Sequence, residues 1–389
     1  MNAQAVILKK DKDKPIRNRH HWIFSGAVKR LPDFKDGAIL PVRSEEGELL
    51  GQAYFNRKSS IIGRMLTFDE RPPLEAVEAN VDDALALREV LLAERTNACR
   101  LINGEGDNLP GLTVDRYNDV LVIQITTLGM EKLKPFILDL LIRKVSPRSI
   151  YERSNVPARR EEGLSDFEGH LFGERLDHVE IKEDGLRFLV EIQGSQKTGF
   201  FLDLRDMRRL VRSLAERRTV LNCFCYTGAF SVTALAGGAA RVDSVDSSER
   251  AIELAKQNFA LNGIPEGSRT FAVDDVFAFL RRTDLPYDFI ILDPPAFAKK
   301  KADVVQACRG YKDINRLALQ KILSGGLLLT FSCSYYVDEA LFQKVVFQAA
   351  VEARRKVRII QRHHLACDHP INIYHPESDY LKSLVLHVQ

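Results

Sequence analysis

VLNCFCYTGAFSVTALAGGAARVDSVDS, residues 220–247 of a 389-residue chain, decides the fold. Val220–Cys223 is an apolar run of strand length, and the turn after it holds Tyr226, Thr227 and Gly228. A helix of small residues, Phe230–Ala236, follows, and a second strand, Val242–Asp246, closes on an acid. This is one βαβ half of a doubly wound parallel sheet, whose ligand crevice opens just past the strand ends. The turn lacks the G-x-G-x-x-G that lets backbone approach a pyrophosphate, since Gly228 stands alone among aromatic and polar residues. That disfavours a nicotinamide dehydrogenase. The ribose-type acid is kept at Asp246, so the layout suits a nucleoside without a pyrophosphate, and S-adenosyl-L-methionine is the candidate.

Moving toward the C-terminus, strands and helices alternate and further acids fall at strand ends. A strand ends in Val273-Asp274-Asp275, and either carboxylate suits an adenine edge. FIILDPP ends at Asp293, where Pro294 and Pro295 fix the exit path and contribute no backbone N–H. Carbonyls and a carboxylate can then face a planar ring bearing donors, as in the D/N-P-P loop of methyltransferases that act on nucleic acid. The bland alternative is a plain turn after a buried strand. The next strand, GGLLLTFSCS, brings Cys333 to the same sheet edge. A strand-end cysteine is usually a buried apolar residue, but here it is paired with an acid. Cytosine C5 is too weak a nucleophile to take a methyl group from a sulfonium. A thiolate adding at C6 generates an enamine that can, and a carboxyl hydrogen-bonded at N3 eases the addition. Asp293 and Cys333 are the candidate catalytic pair, and Cys223 and Cys225 are the thiols to exclude.

The remaining elements expected here are an amphipathic helix from Asp203 and helices at Ser248–Asn262, Val276–Arg282, about Ile314–Leu323 and Glu339–Ala353. Two last strands, Val357–Gln361 and Lys382–Val388, close this domain, expected over residues 190–389.

Toward the N-terminus the character changes. Residues 1–71 carry 14 Lys and Arg against 9 Asp and Glu, while the other 318 carry 42 against 44. The formal charge of +3 therefore comes from the N-terminal segment, which points to a polyanionic partner. Short apolar runs (Ala38–Val42, Leu49–Phe55, Ile61–Leu66) make residues 1–71 a β-rich module. Ahead of them, Arg17, Arg19, His20 and His21 precede Trp22 and Phe24, a mixture suited to phosphates and bases. The competing reading makes Trp22 and Phe24 core residues of a small β domain. Between the two ends, residues 73–185 read as an α+β region with helices at Val77 to about Ala98 and Glu131–Lys144, and strands around Leu121–Ile125 and Ser149–Glu152. Six cysteines without CxxC spacing argue against a structural metal. No apolar run reaches the roughly 20 residues of a membrane span and no signal peptide opens the chain, so a cytoplasmic location without membrane contact is expected. Oligomeric state has no signature here, a homodimer being compatible with these residues.

With these stretches in view, the chain resembles the RlmI-type bacterial methyltransferases that make 5-methylcytosine in 23S ribosomal RNA, along essentially its whole length. HHWIFSGAV resembles that family's N-terminal PUA domain. NGEGDNLPGLTVDRY and YERSNVPARREEGL resemble its central domain. QKTGFFLDLR, the 220–247 stretch, DDVFAFL, LDPPAFAKKK, CRGYKDIN and LTFSCS resemble its class I methyltransferase domain. The resemblance implies a cofactor pocket from Phe201, the loop Asn222, Cys223, Phe224, Tyr226, Thr227 and Gly228, then Asp246, Ser247, Asp274, Asp275 and Asp293. It implies Cys333 as nucleophile with Asp293 as partner, and an RNA entrance shaped by Arg309, Tyr311 and Lys312. One departure stands out. Many RNA 5-methylcytosine enzymes place a second cysteine after the motif's proline, and here the sequence reads Pro294-Pro295-Ala296-Phe297. Two rivals remain open: a guanine-N2 ribosomal RNA methyltransferase, which needs no thiol, and a non-catalytic RNA-binding assembly factor.

Overall fold

The computed structural model describes residues 4–92, 95–193 and 199–389. The chain forms two compact units, one of residues 1–181, 190–202 and 367–378, the other of 182–189, 203–366 and 379–389. Among the described residues no helix is long and apolar enough to cross a membrane.

The first unit contains two sheets. In the six-stranded sheet the order is Trp22–Phe24, Ile61–Thr67, Leu49–Phe55, Ile39–Arg43, Val6–Leu8, Val28–Arg30. The three apolar runs became its long strands; the short strands have too few residues to show a period. The five-stranded sheet runs Phe167–Gly173, Ser149–Ser154, Val120–Ile125, Leu112–Tyr117, Ala98–Asn103. A helix over Leu128–Val145 accompanies it.

The helix expected at Val77–Ala98 spans Pro73–Leu91 instead, and Ala98 opens a strand. Pro73 suits the first turn, where a missing N–H costs nothing. The buried stripe is Ala76, Val77, Val81, Ala84 and Arg88, whereas Val90 is 84% exposed. Arg88 takes a core position because Asp107 receives its guanidinium through two bonds of 2.6 and 2.7 Å.

The second unit is a seven-stranded sheet. Its strands are β1 (Thr219–Cys223), β2 (Arg241–Asp246), β3 (Arg269–Val273), β4 (Tyr287–Leu292), β5 (Ile322–Ser332), β6 (Val357–His363) and β7 (Lys382–Val388). In space they run β3-β2-β1-β4-β5-β7-β6. All neighbours are parallel except β7, which is antiparallel to both β5 and β6. Six helices accompany them: α1 (Arg205–Leu214), α2 (Ala229–Ala236), α3 (Glu249–Leu261), α4 (Val276–Arg282), α5 (Val304–Lys321) and α6 (Glu339–Ala353). The order reverses between β1 and β4, and that is where a crevice opens past the strand ends.

Central strands buried on both faces carry unbroken apolar runs, and Phe289–Leu292 of β4 are all fully buried. Helix starts are written in the sequence as caps. The side chains of Ser248, Asp275 and Asp338 accept the N–H groups of Ala251, Ala278 and Leu341 at 3.2, 2.8 and 2.8 Å. One helix was misjudged: the expectation of Ile314–Leu323 starts ten residues late, because α5 begins at Val304 and includes Gly310. That glycine breaks the helical pattern in sequence. In space its bare Cα admits the Phe297 ring, which an added Cβ would meet at 3.1 Å.

Candidate active site

Register places the candidate residues of the second unit on one sheet edge. Cys223 of β1 lies opposite Val245 of β2 and Leu292 of β4, and Leu292 lies opposite Thr330 of β5. Asp246, Asp293 and Cys333 therefore all sit at the carboxyl ends of neighbouring strands. Cys333 is the first residue beyond β5, which ends at Ser332.

The loop after β1 is held in an unusual backbone form. Phe224, Tyr226 and Gly228 have φ of +58°, +46° and +75°. Positive φ is uncommon for aromatic residues and gathers at ligand sites. Asp246 fixes the loop: its carboxylate accepts the Tyr226 N–H and the Ser248 N–H, each at 2.9 Å. Asn258 of α3 donates to the Thr227 carbonyl at 2.9 Å. A Cβ on Gly228 would lie 3.0 Å from the Ala255 Cβ and 3.2 Å from Phe259, so α3 packs directly on the turn. Among the described residues, the Thr227 hydroxyl and the Asn222 side-chain oxygen are buried without a hydrogen-bond partner. Such orphans in a strained loop beside a strand-end acid fit a polar ligand with donors of its own, and an aminoacyl nucleoside such as S-adenosylmethionine has them.

Two neighbouring acids divide into different tasks. Asp275 caps α4, while Asp274 pairs with Arg282 and donates its backbone N–H to the Asp246 carbonyl at 2.9 Å. Ser247 is exposed at the end of β2. Phe201 belongs to the first unit, and Gln196–Thr198 of the stretch QKTGFFLDLR fall outside the described residues.

The Asp-Pro-Pro loop faces the thiol. Cys333 Sγ donates to the Pro294 carbonyl oxygen at 3.7 Å. Asp293 is half-buried, with its N–H 3.5 Å from the Cys223 carbonyl. Next to Cys333, the Ser334 hydroxyl accepts the Ala298 N–H at 3.0 Å and pairs with the Tyr311 hydroxyl at 2.8 Å. Rings of Tyr311 and Phe297 lie 4.6 Å apart. Tyr311, expected at the RNA entrance, is fully buried, and burial raises its phenol. It ties α5 to the two loops that carry Asp293 and Cys333, which motif spacing alone did not reveal. Arg309 is exposed, and Lys312 pairs with Glu352 at 2.7 Å.

The thiols separate by environment. Cys223 and Cys225 are buried, and desolvation pushes both far above the ordinary thiol range. Cys308 is raised by the same cause. Cys333 is half-buried and brings its thiol to the Pro294 carbonyl of the Asp-Pro-Pro loop. A residue missed in the sequence stands behind it. Lys382, opposite Ser332 in the β5–β7 pair, is 5% exposed and donates to the Ser334 and Tyr380 carbonyls, each at 2.8 Å.

In the first unit, Arg17 is engaged by Asp13 and Glu48, both at 2.7 Å, which raises it above its usual value. Arg19 is exposed, its guanidinium without a partner among the described residues. Trp22 is half-buried and donates its indole N–H to Glu105 at 2.9 Å, while Phe24 is 50% exposed. The aromatics thus divide between the two sequence readings. His20, His375 and Glu377 bring one ligand atom each within 4.8 Å of one another. His20 Nδ1 lies 3.2 Å from the Trp22 N–H, which it accepts, and its Nε2 lies 3.3 Å from both Glu377 oxygens, so the group is also a hydrogen-bonded histidine–carboxylate pair.

Comparison with known proteins adds the following. The family of S-adenosylmethionine-dependent methyltransferases matches residues 111–369, and a PUA-like domain matches residues 6–68. Proteins named ribosomal RNA large subunit methyltransferase I are similar over nearly the whole chain. The one from Tolumonas auensis is 43% identical over 99% of both chains, and that from Photobacterium profundum is 41% identical over 99% of both. Among solved structures, a methyltransferase crystallised with SAH is 25% identical, with a TM-score of 0.86 over 99% of this chain and 100% of that one.

Proposed function

Since this chain belongs to the family of ribosomal RNA large subunit methyltransferase I, an S-adenosylmethionine-dependent methyltransferase domain joined to a PUA-like domain, we propose that it methylates C5 of a cytosine in 23S ribosomal RNA through a covalent cysteine adduct. One observation carries the C5 reading: a half-buried thiol, Cys333, lies on the loop facing Asp293-Pro294-Pro295 at the edge where the cofactor loop ends. Transfer to an exocyclic amine has no use for a thiol there.

S-adenosylmethionine supplies the electrophilic methyl group. Asp246 and the 222–228 loop hold the nucleoside, with Asp274 or Asp275 on the adenine edge. Asp293, as a neutral carboxyl, donates a hydrogen bond to N3 of the target base and draws electron density from C6. The Cys333 thiolate forms the S–C6 bond, and the C5–C6 π electrons become the enamine that accepts the methyl at C5. Loss of the C5 proton to a base then expels the thiolate and restores the ring. A cytosine within paired RNA must first leave its stack. Arg19 and its neighbours supply the phosphate contacts.

The test is nucleoside analysis of ribosomal RNA methylated by the purified protein. We expect 5-methylcytidine, reduced to background by Cys333→Ala while cofactor affinity stays within a few-fold. RNA substituted with 5-fluorocytosine should give a covalent adduct absent in that variant. 2-Methylguanosine as product would replace this reading with its rival.

A further inference from the structure

A thiolate nucleophile at Cys333 meets an obstacle in its own surroundings. The Pro294 carbonyl oxygen accepts from the thiol, so it favours S–H and opposes S⁻. A cation beside the sulfur would offset the loss of that bond on ionisation.

The structure contains such a cation. Lys382 begins β7 beside the end of β5, and its ammonium donates to the carbonyls of Ser334 and Tyr380. These bonds occupy two of the three N–H donors. No carboxylate of the described residues forms an ion pair with it, which is costly for a charge 5% exposed and calls for a compensating anion. Burial lowers the Lys382 ammonium from its usual value, and the charged groups that offset part of this are Asp379 next to Tyr380, Cys333, and Asp338 at the start of α6. The neutral Tyr311 hydroxyl closes the same neighbourhood through Ser334.

We infer that Lys382 is the positioning cation that holds Cys333 as a thiolate, its ammonium held between the Ser334 carbonyl next to the nucleophile and the Tyr380 carbonyl of its own segment. The thiol proton leaves to solvent, and Lys382 keeps its own proton throughout. When the S–C6 bond forms, the sulfur charge passes into the base, and Lys382 is left to stabilise the thiolate again on its expulsion. This rests on Cys333 as the nucleophile, although its test does not use methylation.

The test is the pH dependence of Cys333 alkylation by iodoacetamide in the full-length protein, resolved by mass spectrometry at the Cys333 peptide. We expect a wild-type midpoint at least one unit below the ordinary thiol value of about 8.5. Lys382→Met should raise it by a unit or more, and Lys382→Arg should keep it near wild type. A merely structural lysine would change the limiting rate at high pH, through accessibility, and leave the midpoint in place; that result overturns the inference. Should Lys382→Met fail to fold, the wild-type midpoint decides alone, since a value at or above 8.5 is incompatible with a thiolate-holding cation. An ordinary midpoint alongside loss of 5-methylcytidine in Cys333→Ala would sink the role of Lys382 and leave the proposed reaction standing.

Discussion

Asp246 has both carboxylate oxygens engaged by backbone, one by Tyr226 and one by Ser248, so it fixes the shape of the 222–228 loop. Asp246→Ala should lower S-adenosylmethionine affinity at least tenfold, about 1.4 kcal/mol, by calorimetry, with RNA affinity unchanged. Asp275 is more closely bound to helix stability. Asp275→Ala removes the cap of α4 and should cost about 1 kcal/mol in chemical denaturation. At this scale the sequence was readable in position wherever a motif marks a strand end, as with Asp246 and Asp293 at the carboxyl edge of the sheet. Lys382 and Tyr311 were not readable that way. Lys382 looks like any residue at the start of a strand until β5 pairs beside it, and the partner hydroxyl of Tyr311 lies 23 positions away.

Among the elements, α5 acts as a brace between two loops. Tyr311 reaches Ser334 next to Cys333, and Gly310 makes room for Phe297 just past the Asp-Pro-Pro turn. Tyr311→Phe should lose about 1 kcal/mol of stability and slow methyl transfer while leaving RNA affinity intact, readable from a binding titration beside a rate assay. The strands and helices around β1 to β4 were legible because two-sided burial writes itself as unbroken apolar runs and caps announce helix starts. The helix at Pro73–Leu91 was less so: its buried stripe includes Arg88, and only the distant Asp107 makes an arginine a core residue.

For the whole molecule, charge and protonation give two further expectations. Arg17 is neutralised internally, so Arg19 is the residue whose loss should tell. Arg19→Ala should weaken RNA binding and reduce the slope of log affinity against log salt by about 1, with cofactor affinity unchanged. His21 is buried, and desolvation pushes it down to about 3 from 6.5. Its folded value is depressed, so the unfolded chain binds the proton first. The contribution to stability is complete above pH 6.5 and is lost as pH falls toward 3, at about 1.4 kcal/mol per unit. Denaturation midpoints between pH 7 and 5 should fall accordingly, and His21→Phe should flatten the dependence.

The chain passes between its two compact units five times, and the first takes residues 367–378 as well as the N-terminal segments. His375 from that late segment packs its ring 4.5 Å from Trp22, and Asp368 accepts the Arg100 N–H at 3.0 Å. During synthesis, the first unit is therefore left unfinished until nearly all of the second has emerged, and a nascent chain cut short within residues 203–366 lacks the segment that completes it.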